Sequence, residues 1–222
     1  MAESKGSVFI VGYGVGVSGA LAQAFAREGY SLGLISRDAG KLEAAVDALK
    51  ASGVVAHGFT AEAGDAAALS AALSAARDAL GDAEILHYNA ATWRPGPVLG
   101  TTPESFDGDF QICVTGALVA AQAVAPAMIA AGRGTILFTG GGLALFPSPQ
   151  APSLSVGKAG IRALALMLAE ELAPKGIRVG TVTIAGTVAP GTPFAPEKIA
   201  DAFLALHRSP PDPKTAEIVF SG

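Results

Sequence analysis

Short apolar runs alternate along this chain with longer stretches whose apolar residues recur every three or four positions. The runs Ser7–Val11, Leu32–Ser36, Val54–Phe59, Glu84–Tyr88, Gly134–Thr139 and Arg178–Ile184 predict strands. Between them, Gly16–Glu28, Ala39–Ser52, Asp65–Leu80, Pro103–Ala131 and Ser155–Ala173 have helical spacing, with Leu42, Val46 and Leu49 on the inward side of the second. Gly64–Asp65 starts the third helix, and Pro126 predicts a bend in the fourth. The proline-rich tail predicts a helix at Pro196–His207 and a last strand at Glu217–Phe220. Strands alternating with helices imply a parallel sheet covered on both faces. The expected fold is therefore α/β, doubly wound, with a mainly parallel sheet of six or seven strands. No repeat, linker or composition shift divides the chain, so residues 1–222 are expected to form a single domain.

Composition narrows the function classes. A chain of 222 residues, half of them hydrophobic and 15% charged, can bury a full core. Lysine and arginine number 15 against 19 acidic residues, a net charge of −4, and no basic run suggests a nucleic-acid surface. The single cysteine, Cys113, excludes an internal disulfide and fits a reducing cytosol. The start, Met1–Ser7, is polar with both charge signs and does not read as a signal peptide. The longest apolar stretch, Ala117–Ala131, holds Gln122 and Pro126 and is short for a bilayer span, so it reads as a buried or interface helix. A cytoplasmic protein is expected, with no nucleic-acid or membrane partner and no metal site.

The first strand–helix junction carries the clearest chemistry. Strand Val8–Val11 runs into Gly12-Tyr13-Gly14-Val15-Gly16-Val17-Ser18 and then into a helix. Glycines there let the backbone turn sharply and approach a pyrophosphate, and the helix N-terminus offers free N–H groups and a positive dipole end. Placed at this junction of an alternating chain, the loop points to a dinucleotide.

From these residues the chain resembles the short-chain dehydrogenase/reductase family over nearly its full length. The resemblance implies a Rossmann-type fold and a nicotinamide cofactor. The family's Gly-x-x-x-Gly-x-Gly loop is matched by Gly12 and Gly16, with Ser18 as a departure whose side chain would crowd the helix–strand packing and Gly19 next door to relieve it. The Asn-Asn-Ala-Gly after strand four is Tyr88-Asn89-Ala90-Ala91, the acidic adenine contact is Glu62, and the Pro-Gly after strand six is Ala185-Gly186. The implied cofactor residues are Gly12, Tyr13, Gly14, Gly16, Val17, Ser36, Arg37, Glu62, Asn89, Ala90, Thr139, Lys158, Gly186 and Val188. An acidic residue after strand two would repel a 2′-phosphate; Ser36-Arg37 would hold one, with Asp38 turning into the next helix as its cap. NADP(H) is expected in preference to NAD(H).

The resemblance also implies a reaction site, and here the chain departs from it. The family uses a tyrosine as general acid, a lysine four residues later, a serine and an asparagine. Lys158 matches the lysine. Leu154 stands at the tyrosine position, Gly141 at the serine and Cys113 at the asparagine. The enoyl-reductase spacing fails too, because Ala151 stands seven before the lysine. Of Tyr13, Tyr30 and Tyr88, only Tyr88 ends a strand on the ligand rim. It is the candidate substitute acid beside Lys158, with a core aromatic as its competing role. His87 alternates with Tyr88 and should face away as a core histidine. Ser153 and Ser155 flank the lost tyrosine but lack an evident base.

The family's lid after strand six is short here, residues 187–209, and Trp93, Phe146 and Phe194 are placed near the pocket. Helices Pro103–Ala131 and Ser155–Ala173 are apolar on more than one face; the family pairs these helices, which implies a homodimer or homotetramer. Two functions stay open: an NADP(H)-dependent oxidoreductase with a non-standard acid, and a non-catalytic NADP(H)-binding sensor or partner subunit.

Overall fold

In the computed structural model, which describes residues 4–222, β1 (Ser7–Val11) is buried along its whole length. The opening Met1–Glu3 of the polar start lies outside the described residues. Full burial follows from position: β1 sits inside a seven-stranded sheet ordered β3-β2-β1-β4-β5-β6-β7, and every neighbouring pair is parallel. The other strands are β2 (Ser31–Ser36), β3 (Ala56–Thr60), β4 (Ala83–Tyr88), β5 (Gly134–Thr139), β6 (Ile177–Ile184) and β7 (Glu217–Phe220). Central strands such as Ile-Arg-Val-Gly-Thr-Val-Thr-Ile of β6 are buried residue by residue, whereas edge strand β3, Ala-His-Gly-Phe-Thr, is largely exposed.

Helices cover both faces. On one side α3 (Ala66–Leu80), α5 (Gly116–Ala131) and α6 (Pro152–Leu172) enclose a core around Leu86, Tyr88, Ile136 and Phe138. On the other, α1 (Val17–Arg27), α2 (Ala39–Ala51) and α7 (Pro196–Arg208) enclose a core around Ile10, Leu34, Leu137 and Phe203. The doubly wound parallel sheet is as the alternation predicts. From β1 the chain winds outward to β3, then returns to β4 beside β1. The connections after β1 and β4 therefore leave in opposite directions and open a crevice at the carboxyl ends of the strands.

α5 continues through Pro126, which is exposed, as is Gln122, whose carbonyl loses the proline's missing N–H. A π-helical turn at Gln111–Thr115 joins α4 (Pro103–Phe110) to α5. The turn is gripped from both sides. Tyr88 Oη donates to the Ile112 carbonyl, and a Cβ on Gly116 would collide with that hydroxyl and the Ala63 carbonyl. On the α6 side, a Cβ on Gly157 would stand 2.7 Å from that of Cys113, and one on Gly160 2.7 Å from Val114. α6 also begins earlier than its spacing suggested, with Pro152 in its first turn.

The helical run Pro103–Ala131 is long and apolar enough to cross a membrane. Here Ala117, Ala120, Ala121, Val124 and Met128 pack into the core beneath it, as a core helix does. At the far edge, buried Arg178 donates to the carbonyls of Leu206 (3.2 Å), Asp212 (2.9 Å) and Thr215. One guanidinium thus ties the end of α7 and the approach to β7 onto β6.

Candidate functional site

The glycine loop crosses the mouth of the crevice. Gly12 has φ +76°, and a Cβ there would lie 2.6 Å from the Ala90 Cα, so both conformation and contact require glycine. Gly14 and Gly16 differ. Neither has positive φ, and beyond its chain neighbours a Cβ on either would meet no atom of the described residues within 4 Å. The bare backbone faces open space, a cradle that a ligand rather than the protein would fill. Gly16 caps α1 without any side-chain hydrogen bond, and no acidic side chain occupies the first turn. That leaves first-turn N–H groups and the positive dipole end for an anion. Pyrophosphate fits this loop.

Ser18 does not crowd the loop. It is buried and stitches the turn instead: Gly14 N–H donates to its Oγ (2.9 Å), and the hydroxyl lies 3.3 Å from the Gly12 carbonyl and 3.2 Å from that of Gly14. The close helix contact belongs to Gly19, whose Cβ would stand 2.7 Å from the Gly14 carbonyl.

At one end of the loop, a cavity of about 240 Å³ is lined by Gly12, Tyr13, Ser36, Arg37, Glu62 and Ala90. A neighbouring one adds Gly14, Asp38 and Lys41. Arg37 pairs with Glu62 at 3.6 Å, both side chains well exposed. Such a pair is worth little and can open to an incoming phosphate. Asp38 caps α2 by accepting from Lys41 N–H (3.1 Å) and also pairs with Lys41 Nζ at 3.1 Å. Lys41 is a cation beside Arg37 that strand-end spacing did not single out, because it lies a helical turn further on.

At the other end lies a cleft of about 940 Å³. Gly16, Val17, Asn89, Thr139, Gly186 and Val188 line it, with Lys158 on its wall. Lys158 Nζ donates to the Thr139 carbonyl (2.7 Å), and burial lowers its pKa to about 8. Leu154, one turn before Lys158, faces the same cleft. A Cβ on Gly141 would rest 3.4 Å from the Lys158 side chain, ordinary contact distance. Among the described residues, Lys158 is the only titratable side chain lining this cleft.

Beneath the floor runs a hydrogen-bonded chain that sequence reading missed. Thr139 Oγ donates to Asn89 Oδ1 (2.8 Å), and His87 Nε2 lies 2.9 Å from Thr139 Oγ. Asn89 Nδ2 in turn donates to the Gly12 carbonyl (3.0 Å). Because Asn89 Oδ1 can only accept, the threonine proton points to it, and His87 must donate from Nε2. Its Nδ1 is then a bare lone pair, buried without a partner among the described residues. Burial, with the Lys158 charge adding to it, lowers the His87 pKa to about 3.

This geometry agrees with the comparisons. A short-chain dehydrogenase model matches residues 7–199. The chain belongs to the short-chain dehydrogenase family. Its curated relatives include 2-(S)-hydroxypropyl-CoM dehydrogenase 3 of Xanthobacter autotrophicus, 32% identical over 184 residues covering 81% of this chain and 72% of that one. Similar solved structures include a metagenomic short-chain oxidoreductase in complex with NADP, with 25% identity, a TM-score of 0.87, and coverage of 97% of this chain and 96% of that one. Another is an NADPH-bound short-chain oxidoreductase from Pseudomonas aeruginosa PAO1 containing an atypical catalytic center, with 26% identity, a TM-score of 0.84, and coverage of 95% and 93%. The chain is thus a member of an oxidoreductase family of Rossmann architecture that binds NAD(P).

Within that family frame, Tyr88 is a correction. As the last residue of β4 it points to the opposite face from His87, into the core under α5. It is fully buried, its hydroxyl is bonded to the Ile112 carbonyl, and burial pushes its pKa far up. It does not reach the cleft and cannot serve as its acid. Phe194 lies behind the cleft rather than on its lining: it stacks edge-on against Phe220 (5.8 Å) and covers Gly186, where a Cβ would collide with its ring. Ser155 is occupied, accepting from Ser148 N–H (3.0 Å) and donating to the Ala151 carbonyl (2.8 Å). Cys113 is buried beneath Gly157, with burial raising its thiol pKa. Neither lines the cleft.

The buried histidine yields a pH prediction. The unfolded imidazole takes a proton near its ordinary value of 6.5, while the folded one resists until about 3. Its contribution is complete above that upper value and is lost as pH falls through the window between them. At pH ~5 this loss is about 2 kcal/mol. Urea unfolding at neutral pH and at pH ~5 should show His87→Gln losing less stability on acidification than wild type by about this amount. Equal losses would remove His87 as the acid-sensitive group.

Proposed function

We propose that this chain is an NADP(H)-dependent oxidoreductase with a non-standard active site, in which Lys158 is kept while Leu154, Gly141 and Cys113 stand where the family's tyrosine, serine and asparagine would be. The observation that carries this reading is the cleft itself: among the described residues it is lined by one lysine, an apolar wall and no phenol. When bound, NADP(H) supplies or accepts the hydride. Gly14, Gly16 and Val17 would hold its pyrophosphate, Ser36 and Arg37 its 2′-phosphate, and Lys158 its nicotinamide ribose. Lys158 Nζ is also the ammonium group of the cleft wall, charged below pH about 8 and neutral above it. Leu154 supplies no proton and adds apolar surface to the same wall. Such a site suits substrates that need little protonation, such as an activated double bond. The NADP-bound and NADPH-bound relatives, one with an atypical catalytic center, support this reading.

We read residues 4–222 as one domain, with residues 187–209 as a lid that brings Val188 to the cleft, and we place the protein in the cytoplasm, where its single thiol suits reducing conditions. A second reading, a non-catalytic NADP(H)-binding sensor or partner subunit, draws on the same Leu154.

NADPH should raise the melting temperature more than NADH, since binding to the folded state stabilises by mass action. Arg37→Asp should reverse the order, and equal shifts in wild type would argue against a 2′-phosphate site.

Ordinary ketones should be reduced at least about a hundredfold more slowly than a positioned acid allows. Leu154→Tyr combined with Gly141→Ser should gain carbonyl reduction over wild type, as the space beside Gly141 permits. Wild-type turnover that already equals the double variant would sink the idea of a lost acid.

We also propose a homodimer or homotetramer through the run Pro103–Ala131 and α6, whose outward faces expose Leu118, Ile129, Val156 and Met167. Light scattering at micromolar concentration should report a mass above the monomer's 22.0 kDa; a monomer would overturn this.

A further inference from the structure

Two aromatic side chains stand unusually open on the rim of the cleft. Trp93 is 66% exposed and Phe146 is 76% exposed, yet both line the same cavity as Leu154 and Lys158. Leaving rings of this size in water is unfavourable by roughly the free energy that burying their area would supply, so exposed aromatics facing one apolar cavity mark a binding surface.

Their loops are fixed. Arg94, next to Trp93, forms a two-pronged ion pair with Asp109 (3.0 and 3.2 Å), whose carboxylate is almost wholly buried. The next segment of that loop is tied to the Phe146 side, because Gly96 N–H donates to the Gln150 carbonyl (3.0 Å). Phe146 itself ends a tight turn, its N–H donating to the Gly142 carbonyl (2.8 Å). The two rings are thus carried on loops anchored to α4 and to each other, which lowers the ordering cost of stacking a ligand between them.

The walls below are apolar, from Leu143, Leu154 and Val188. The one cationic group, Lys158 Nζ, is turned into the Thr139 carbonyl. A substrate carboxylate would enter this cavity with no guanidinium to pair with. A cavity of about 940 Å³ is at the large end of small-molecule sites and leaves room beside a nicotinamide ring.

We propose that this cleft takes an uncharged aromatic substrate, a flat ring system bearing a neutral carbonyl or conjugated double bond, gripped between Trp93 and Phe146. The proposal names the substrate class of the oxidoreductase site above and rests on that reading for the position of the cofactor, but the aromatic grip is a property of the rim.

Trp93 is the only tryptophan in the chain, so its emission reports occupancy directly. The probe is 2-acetonaphthone, titrated into protein saturated with NADPH and, separately, into protein alone, against 2-naphthoate and cyclohexanone. Saturable quenching of Trp93 is expected, with acetonaphthone binding tighter than both controls. By calorimetry, Phe146→Ala and Trp93→Ala should each weaken it about three- to tenfold. Both side chains are exposed, so unchanged melting temperatures will show that the variants fold. Tighter binding of 2-naphthoate or cyclohexanone, or acetonaphthone affinity unchanged in both variants, would overturn the proposal. Failure of NADPH to shift the melting temperature would instead remove the cofactor reading, leaving the titration of protein alone to decide the aromatic site.

Discussion

The site depends on how closely β1 and β4 end beside each other. Gly12 comes so near Ala90 that no side chain fits between them, and Asn89 ties the two ends by donating to the Gly12 carbonyl. Ser18 closes the same knot from the first turn of α1. This is the point where the order of strands reverses, so the two loops diverge and leave a crevice between them. If that approach were loosened, the glycine loop would lose its aim at the α1 N-terminus. Asn89 would also lose its alignment with Thr139, and with it the floor on which Lys158 rests.

The floor is rigid because its polar groups answer to one another. Lys158 holds the Thr139 carbonyl while the Thr139 hydroxyl holds Asn89, and His87 supports that hydroxyl from below. A chain of this kind in a low-dielectric interior fixes proton positions as well as side chains. It leaves one lone pair bare, at His87 Nδ1, and one ammonium on the wall of the cleft, at Lys158. Much of the rest of that wall is glycine backbone, aliphatic side chains and the two rim aromatics. On the reading proposed above, the chemistry centres on holding a cofactor and a flat apolar partner, with little provision for proton transfer.

The close packing around the π-helical turn has a related consequence. Glycines at 116, 157 and 160 let β4 and α6 press on Gln111–Thr115 from both sides. That turn places Ile112 where the Tyr88 hydroxyl can satisfy its carbonyl. The rim tyrosine suggested by strand position is consumed by this local need: a widened turn frees a backbone acceptor, and a buried acceptor must be paired.

What the sequence determined by itself was whatever rests on local pattern. Buried strands such as β1 and β5 announced their bounds because both faces need apolar residues, and the more open edge strand β7 because the turn chemistry before it sets its start. The glycine loop was legible because backbone conformation and phosphate access both demand glycine at a strand–helix junction, and Asp38 because an acidic side chain there caps the following helix. Tertiary structure alone decided which way the outcome fell at residues whose role depends on distant partners. His87 meets Thr139 across 52 positions of chain, Phe194 packs behind Gly186 and against Phe220 rather than lining the cleft itself, and a π-helical turn falls at residues 111–115, where β4 and α6 press on the helix. Periodicity records which face of an element is apolar; it carries no record of which polar atom that face will meet.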